Sequence, residues 1–253
     1  MKRVAILQSS YVPWKGYFDI IGFVDEFILY DDVQYSKNSW RNRNRLKTRE
    51  GTIWITIPVL WKGRFGQAIR EVEIGDPRWA GKHWKSIQTH YARAAWFLEL
   101  APVLADLYEQ AAGDRSLSRV NEMFLRAICD LLGIRTRITR SMDYRLWGDR
   151  VERLVGLCEQ AGAGEYLSGP AAKEYLDESK FAEKGIAVRW MDYSSYPEYH
   201  QLFTPPFIHE VSILDLLLNE GPQGARSYLL STQGGAPGPA LRSKGTRACV
   251  SPS

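Results

Sequence analysis

The chain opens on four apolar residues, Val4-Ala5-Ile6-Leu7, that run unbroken into Gln8-Ser9-Ser10 and Pro13. A short continuous apolar run closed by polar residues and a proline is the pattern of a buried strand entering a loop. A helix is predicted from about Gly16 to Val24, and Phe27-Ile28-Leu29-Tyr30 repeats the buried-strand pattern within Glu26 to Val33. Strand, helix, strand in this order predicts a parallel pair whose following loops gather on one edge.

Thr52 to Val59 alternates β-branched and aromatic residues, and Ala68 to Ile74 follows the turn-rich Lys62-Gly63-Arg64-Phe65-Gly66, which predicts a hairpin-like pair. Three helices are expected between Trp79 and Leu132, broken near Trp96 and Gly113. The strand-helix rhythm then resumes: strand Ile134 to Ser141, helix Asp149 to Ala161, strand Tyr166 to Ser168, helix Ala171 to Glu183, strand Ile186 to Met191. Ser212 is placed to cap a last amphipathic helix, Ser212 to Asn219. Past Gly221 the composition turns to Gly, Pro, Ser and Arg. The expectation is an α/β fold: an open, mostly parallel sheet with flanking helices, in one domain over residues 1–221. A helical insertion occupies about 79–132, and a disordered tail covers 222–253.

Composition narrows the class. With 253 residues, 45% hydrophobic and 25% charged, the chain falls among folded globular proteins. No stretch approaches the roughly 20 apolar residues of a membrane span. The first apolar run is too short for a secretory leader. Three cysteines, Cys129, Cys158 and Cys249, offer neither a disulfide framework nor a metal knuckle and fit a reducing, cytoplasmic compartment. The first two fall on apolar helix faces, as core residues do.

The formal charge of +4 is unevenly spread, because Lys37 to Arg49 holds six cations and no acid. A local cationic strip points to phosphate or carboxylate more than to nucleic acid at large. Lys37, Arg41 and Arg43 offer it charge, and Asn42 can read neighbouring groups. Gln8, Tyr11, Trp14 and Tyr17 follow the first strand, where open α/β sheets present their ligand crevice. Asp31 and Asp32 end the second strand with side chains on opposite faces, so one is expected to face the crevice, to hold an amine or act as a base. Gln34 and Tyr35 come next. Ser168-Gly169 lies between a short strand and a helix, where backbone N–H groups can receive an anion. His83 is the candidate general base, and Gln201 stands in an aromatic stretch, Tyr193 to Phe207, placed to cover the crevice. His83 and His90 are seven apart with no further ligand, so no metal site is expected.

The ordered string Gln8, Tyr11, Pro13-Trp14, Gly16-Tyr17-Phe18-Asp19, then Asp31-Asp32-Val33-Gln34-Tyr35-Ser36-Lys37 and Asn42-Arg43-Asn44, resembles the WbqC-like family. Trp54 to Pro58, His83, Tyr91, Tyr166-Leu167-Ser168-Gly169, Tyr199 with Gln201, and Ser212 to Leu217 with Gly221 extend the likeness. The resemblance implies a transferase of surface-polysaccharide or small-molecule biosynthesis. The expected reaction forms an amide, moving an acyl or aminoacyl group from a phosphate-bearing donor to an amine or amino-sugar. The donor would be a coenzyme A or carrier-protein phosphopantetheine thioester, with an acyl or peptidyl carrier protein as the partner in the second case. In this reading His83 or Asp32 takes the amine proton, and Gln8 or Ser168-Gly169 receives the oxyanion. Two alternatives stand beside it. One is a glycosyl- or nucleotidyltransferase holding magnesium on Asp31 or Asp32; the other is a non-catalytic carrier-protein binder.

Overall fold

A computed structural model describes residues 1–232. The first half of the chain forms β1 (Arg3–Leu7), α1 (Lys15–Gly22), β2 (Glu26–Leu29), β3 (Arg43–Thr48), β4 (Gly51–Thr56), α2 (Trp79–Tyr91), α3 (Phe97–Ala112) and α4 (Leu117–Leu132). The second half forms β5 (Arg137–Arg140), α5 (Arg150–Gln160), β6 (Glu165–Ser168), α6 (Glu178–Ala182), β7 (Ala187–Trp190) and α7 (Ile213–Arg226). Five strands make one sheet in the order β5-β2-β1-β6-β7, with every neighbouring pair parallel.

The unbroken apolar strands are explained by cover on both faces. Val4, Ile6, Ile28, Tyr166 and Val188 pack with Leu154, Val155 and Phe181 of α5 and α6. Ala5, Phe27, Leu29 and Leu167 pack on the other side with α1, α4 and α7. The helical insertion, α2 to α4, extends this second layer, and its breaks fall where the sequence puts them. Ser116 caps α4, accepting the Arg119 N–H at 3.4 Å, and Gly133 closes it at φ 67.

Three local expectations are corrected. The partner of β4 is β3, cut from the cationic run itself, with Thr48 opposite Gly51 and Arg43 opposite Thr56. Ala68 to Ile74 is instead a 3-10 turn at Ile69–Glu71 with an isolated bridge from Ile74 to Val59. Alternation decides it: Asn44 and Leu46 point inward while Arg43 and Arg45 point out. The helix expected over Ala171 to Glu183 is split into a 3-10 turn, Pro170–Glu174, and the short α6. Asp177 starts the second piece by accepting the Ser179 N–H at 3.0 Å. The segment expected to begin a tail at 222 continues α7 instead. The helix kinks at Gly221 (φ 70), where an added Cβ would meet the Trp96 ring at 2.4 Å. Leu230 and Ser231 then donate their N–H groups to Asp19 at 3.1 and 2.8 Å. The rest of the expected tail, 233–253 with Cys249, lies outside the described residues.

Candidate functional site

The strand order reverses at β1, since β2 and β5 lie on one side of it and β6 and β7 on the other. Loops leaving the carboxyl ends of β1 and β6 must diverge there, and the gap they leave is where open α/β sheets take ligands. A hollow of about 290 Å³ fills that gap, lined by Gln8, Tyr30, Arg41, Arg150, Ser168 and Gly169 among others. A second hollow, about 280 Å³, adjoins it through Arg41 and is walled by Ser10, Trp14, Tyr17, Trp40, Asn44 and Glu210. Arg41 is the residue common to both.

The loop after β1 is held from several directions. Asn44 donates its amide to the carbonyls of Tyr11 and Val12 at 3.1 and 2.9 Å, and Ser212, the cap of α7, donates its hydroxyl to Val12 at 2.7 Å. Tyr17 donates its hydroxyl to the Gln8 carbonyl at 2.8 Å. These bonds fix Val12 at φ 35, a conformation a β-branched residue avoids, which costs about 1–3 kcal/mol. Gly16 lets the Trp14 indole fold back over the start of α1, because a Cβ there would lie 2.3 Å from the ring.

Arg41 donates from its guanidinium to the Gln8 side-chain oxygen. Burial lowers its pKa from the ordinary value, opposed by Tyr17 and Asp31, but a guanidinium stays charged. Among the described residues neither Arg41 nor Arg150 has a carboxylate within ion-pair distance; Arg150 lies 3.3 Å from the centre of the Tyr175 ring. Two guanidiniums, neither in a direct ion pair, thus face one hollow.

Of the residues singled out in the sequence, Gln8, Trp14, Tyr17, Arg41, Ser168 and Gly169 meet at these two hollows. Gln34, Tyr35 and Lys37 line a separate surface hollow of about 210 Å³, where Lys37 sits 3.6 Å over the Trp61 ring. Arg43 stacks on Trp54. Asn42 is buried and donates to the Ile57 carbonyl at 2.9 Å.

The two residues given catalytic roles are engaged elsewhere. Asp32 is ion-paired to Arg70 at 2.6 Å and accepts from Ser141 at 2.6 Å. Asp31 is buried and accepts from the Ser9 N–H at 2.8 Å and the Ser118 hydroxyl at 2.5 Å; burial raises its pKa against those bonds. The adjacent carboxylates thus diverge, neither lines the two hollows, and they do not fit a shared magnesium ion. No group of three or more His, Cys, Asp or Glu side chains converges among the described residues.

His83 lies in the core with Tyr11. Its Nε2–H donates to the Thr56 carbonyl at 3.2 Å, so Nδ1 is the acceptor for the Tyr11 hydroxyl at 2.9 Å. Desolvation lowers its pKa to about 4, offset in part by the Thr56 bond. A folded pKa below the unfolded one means stability held above about pH 6.5 and lost as pH falls towards 4, by about 3 kcal/mol. Urea unfolding across that range should show the loss in the wild type, and H83Q should lack that part of the slope; an identical slope in H83Q would contradict the assignment.

Gln201 is buried too, its amide bonded to Asp215 at 2.8 Å and to Ile208 through both its oxygen and its nitrogen. The stretch it stands in covers the outer side of Trp14: Tyr193 and Tyr196 meet the indole at 5.1 and 5.6 Å between ring centres. Arg150, Tyr30, Tyr175 and Glu210 were not singled out in the sequence. The order of strands is the signal that would have found the first three, since it decides which loops face one another. Lys15 was missed as well; it is buried among Tyr196, Tyr199 and Phe207, and desolvation lowers its pKa to about 8. A further hollow, about 440 Å³, lies at the far end of the β3–β4 hairpin, where Arg49, Glu50 and Arg93 stand exposed.

Fold and crevice define a parallel-sheet α/β protein with a hollow lined by arginines at its topological switch point. The chain belongs to the WbqC-like protein family, whose model matches residues 8–227. It is similar to a protein of Mycobacterium tuberculosis (strain ATCC 25618 / H37Rv), the uncharacterized protein Rv1507c. The two are 52% identical over 229 residues, 90% of this chain and 98% of the other. No solved structure matches the chain. No helix among the described residues is long and apolar enough to cross a membrane.

Proposed function

We propose that the protein is a biosynthetic transferase that forms an amide, moving an acyl or aminoacyl group from a phosphate-bearing thioester to an amine or amino-sugar. The observation that carries the reading is Arg41, a guanidinium with no direct ion pair standing in the common wall of two adjoining hollows. A two-substrate transfer needs two compartments meeting at one electrophilic point, and Arg41 occupies that point.

The aromatic hollow behind Trp14 and Trp40 suits the thioester arm, and the switch-point hollow suits the acceptor, with Arg150 drawing an anionic part of it. Attack of the amine forms C–N as C–S breaks, and the departing thiolate takes the proton the amine gives up. Arg41 holds the Gln8 amide oxygen, which leaves the Gln8 NH₂ and the guanidinium to meet the oxyanion. His83 has no part in this chemistry. A donor on coenzyme A or on a carrier protein supplies the same thioester, so neither is a resident cofactor.

The test is intact-mass analysis of amine acceptors incubated with the purified full chain and acyl thioesters. Product bearing the acyl mass is expected with the wild type, and R150Q should raise KM for an anionic acceptor about tenfold with a smaller effect on kcat. Turnover in R150Q equal to wild type at all acceptor concentrations would remove Arg150 from the site.

A further inference from the structure

The outer face of the β3–β4 hairpin carries a feature that the crevice does not use. Alternate residues of an extended strand lie about 7 Å apart on one face, and on β3 the outward pair nearest the crevice is Arg43 and Arg45, with Arg41 in the turn just before the strand. Trp54, directly across the ladder from Arg45, shares that face. The Arg43 guanidinium lies 4.1 Å from the centre of the Trp54 ring, and Arg45 lies 5.7 Å from both Trp40 and Trp54. The two indoles are 5.3 Å apart, and Trp40 and Trp54 remain 43% and 46% exposed. The row ends at Lys47, which turns inward to donate to the Pro206 carbonyl at 2.5 Å.

Charge compensation is nearly absent here. Among the described residues Arg43 has no carboxylate within ion-pair distance, and Arg45 reaches the exposed Glu210 at 3.8 Å. The Nε atoms of Arg41, Arg43 and Arg45 are all buried without a hydrogen-bond partner. An ordinary solvated charge run pairs its cations with acids or extends them into water. This one instead layers bare guanidiniums with half-exposed flat rings and leads, through Trp40, into the aromatic hollow.

We infer that this strip binds the nucleotide end of the donor: a purine base stacks on the Trp40–Trp54 pair and its phosphates lie on Arg43 and Arg45. The arm then passes Trp40 to reach Arg41. The inference rests on the transferase reading and sharpens it, because it selects a nucleotide-borne thioester of the coenzyme A kind. An arm carried by a protein would bring one phosphate and no base. Stacking suits the rings because any purine has a π face, and paired guanidinium donors suit phosphate oxygens.

Calorimetric titration of the full chain with coenzyme A and with adenosine 3′,5′-bisphosphate tests this without turnover. Saturable binding of both is expected, with W54A and R43Q each weakening it about tenfold and W54F close to wild type. Both positions are surface ones, and circular dichroism matching wild type checks that the variants fold. Affinity for inorganic pyrophosphate should fall in R43Q and hold in W54A. No binding by the wild type, or wild-type affinity in both W54A and R43Q, would overturn the inference, as would tight binding of a phosphopantetheinylated carrier protein with none of coenzyme A. The two readings fail separately. Wild-type nucleotide affinity in W54A beside acylated product from the wild type would sink only the strip, and strip-dependent binding without any acylated product would sink only the transferase.

Discussion

Replacing Arg41 by glutamine should lower kcat/KM for amide formation by about 10²–10³-fold, or about 3–4 kcal/mol of transition-state stabilisation. The size follows from the place the residue holds. It makes no direct ion pair among the described residues, with Asp31 acting on it only at longer range; burial shields it from water, and it reaches the side chain of Gln8 at the end of β1. In the proposed reaction, charge developing on the thioester oxygen would therefore meet a preformed field. The side chain makes no ion pair among the described residues, and Asn121 donates its amide to the Arg41 carbonyl at 2.9 Å, a backbone bond that the substitution leaves in place. Thermal stability should accordingly change by less than about 1 kcal/mol. Parallel kinetics and melting of R41Q and R41K separate the roles. A large rate loss with an intact melt supports the account, and R41K should recover part of the rate. An R41Q rate within a few-fold of wild type would contradict it.

The largest expected loss of stability belongs to Asp215→Ala. Asp215 is fully buried in α7 and accepts the Tyr91 hydroxyl at 2.8 Å, the Tyr199 hydroxyl at 2.5 Å and the Gln201 amide at 2.8 Å. Burial raises its pKa, and those three bonds oppose the rise. Alanine would strand three buried donors at once and leave a void, at about 3–5 kcal/mol. With a urea dependence of about 3 kcal/mol per M, the unfolding midpoint should fall by about 1 M or more. D215N, which keeps one acceptor oxygen, should fall about half as far. The same network positions the aromatic cover of Trp14, since Tyr199 and Gln201 both hold it to α7. A D215A midpoint within about 0.2 M of wild type would show the network to be dispensable.

How much of this was legible in the sequence depends on what each residue had to say locally. β1, α1, β2 and the three helices of the insertion follow from runs and spacing. The cap at Ser212 is equally local. β3 was hidden because its outward residues are arginines, so an alternating strand reads as a charge run; the inward Asn44 looks polar although it is spent on two backbone carbonyls. The crevice residues after β1 and β6 were found by the rule that ligands gather at strand ends. Arg150 and Tyr30 were not, because only the strand order brings α5 and the end of β2 to the same gap. His83 shows the opposite failure. A histidine among aromatics could serve as a base or as core, and its ring is used up by Tyr11 and Thr56, partners 72 and 27 residues away that no spacing reveals.

A crystal structure of the full chain with a non-cleavable coenzyme A thioether bearing the acyl group tests the central claim most directly. The account predicts the acyl oxygen of the analogue within hydrogen-bond reach of Arg41 and Gln8, with the arm in the hollow behind Trp14 and Trp40. Density at the exposed hollow of Arg49 and Arg93, with the crevice at the ends of β1 and β6 vacant, would contradict it.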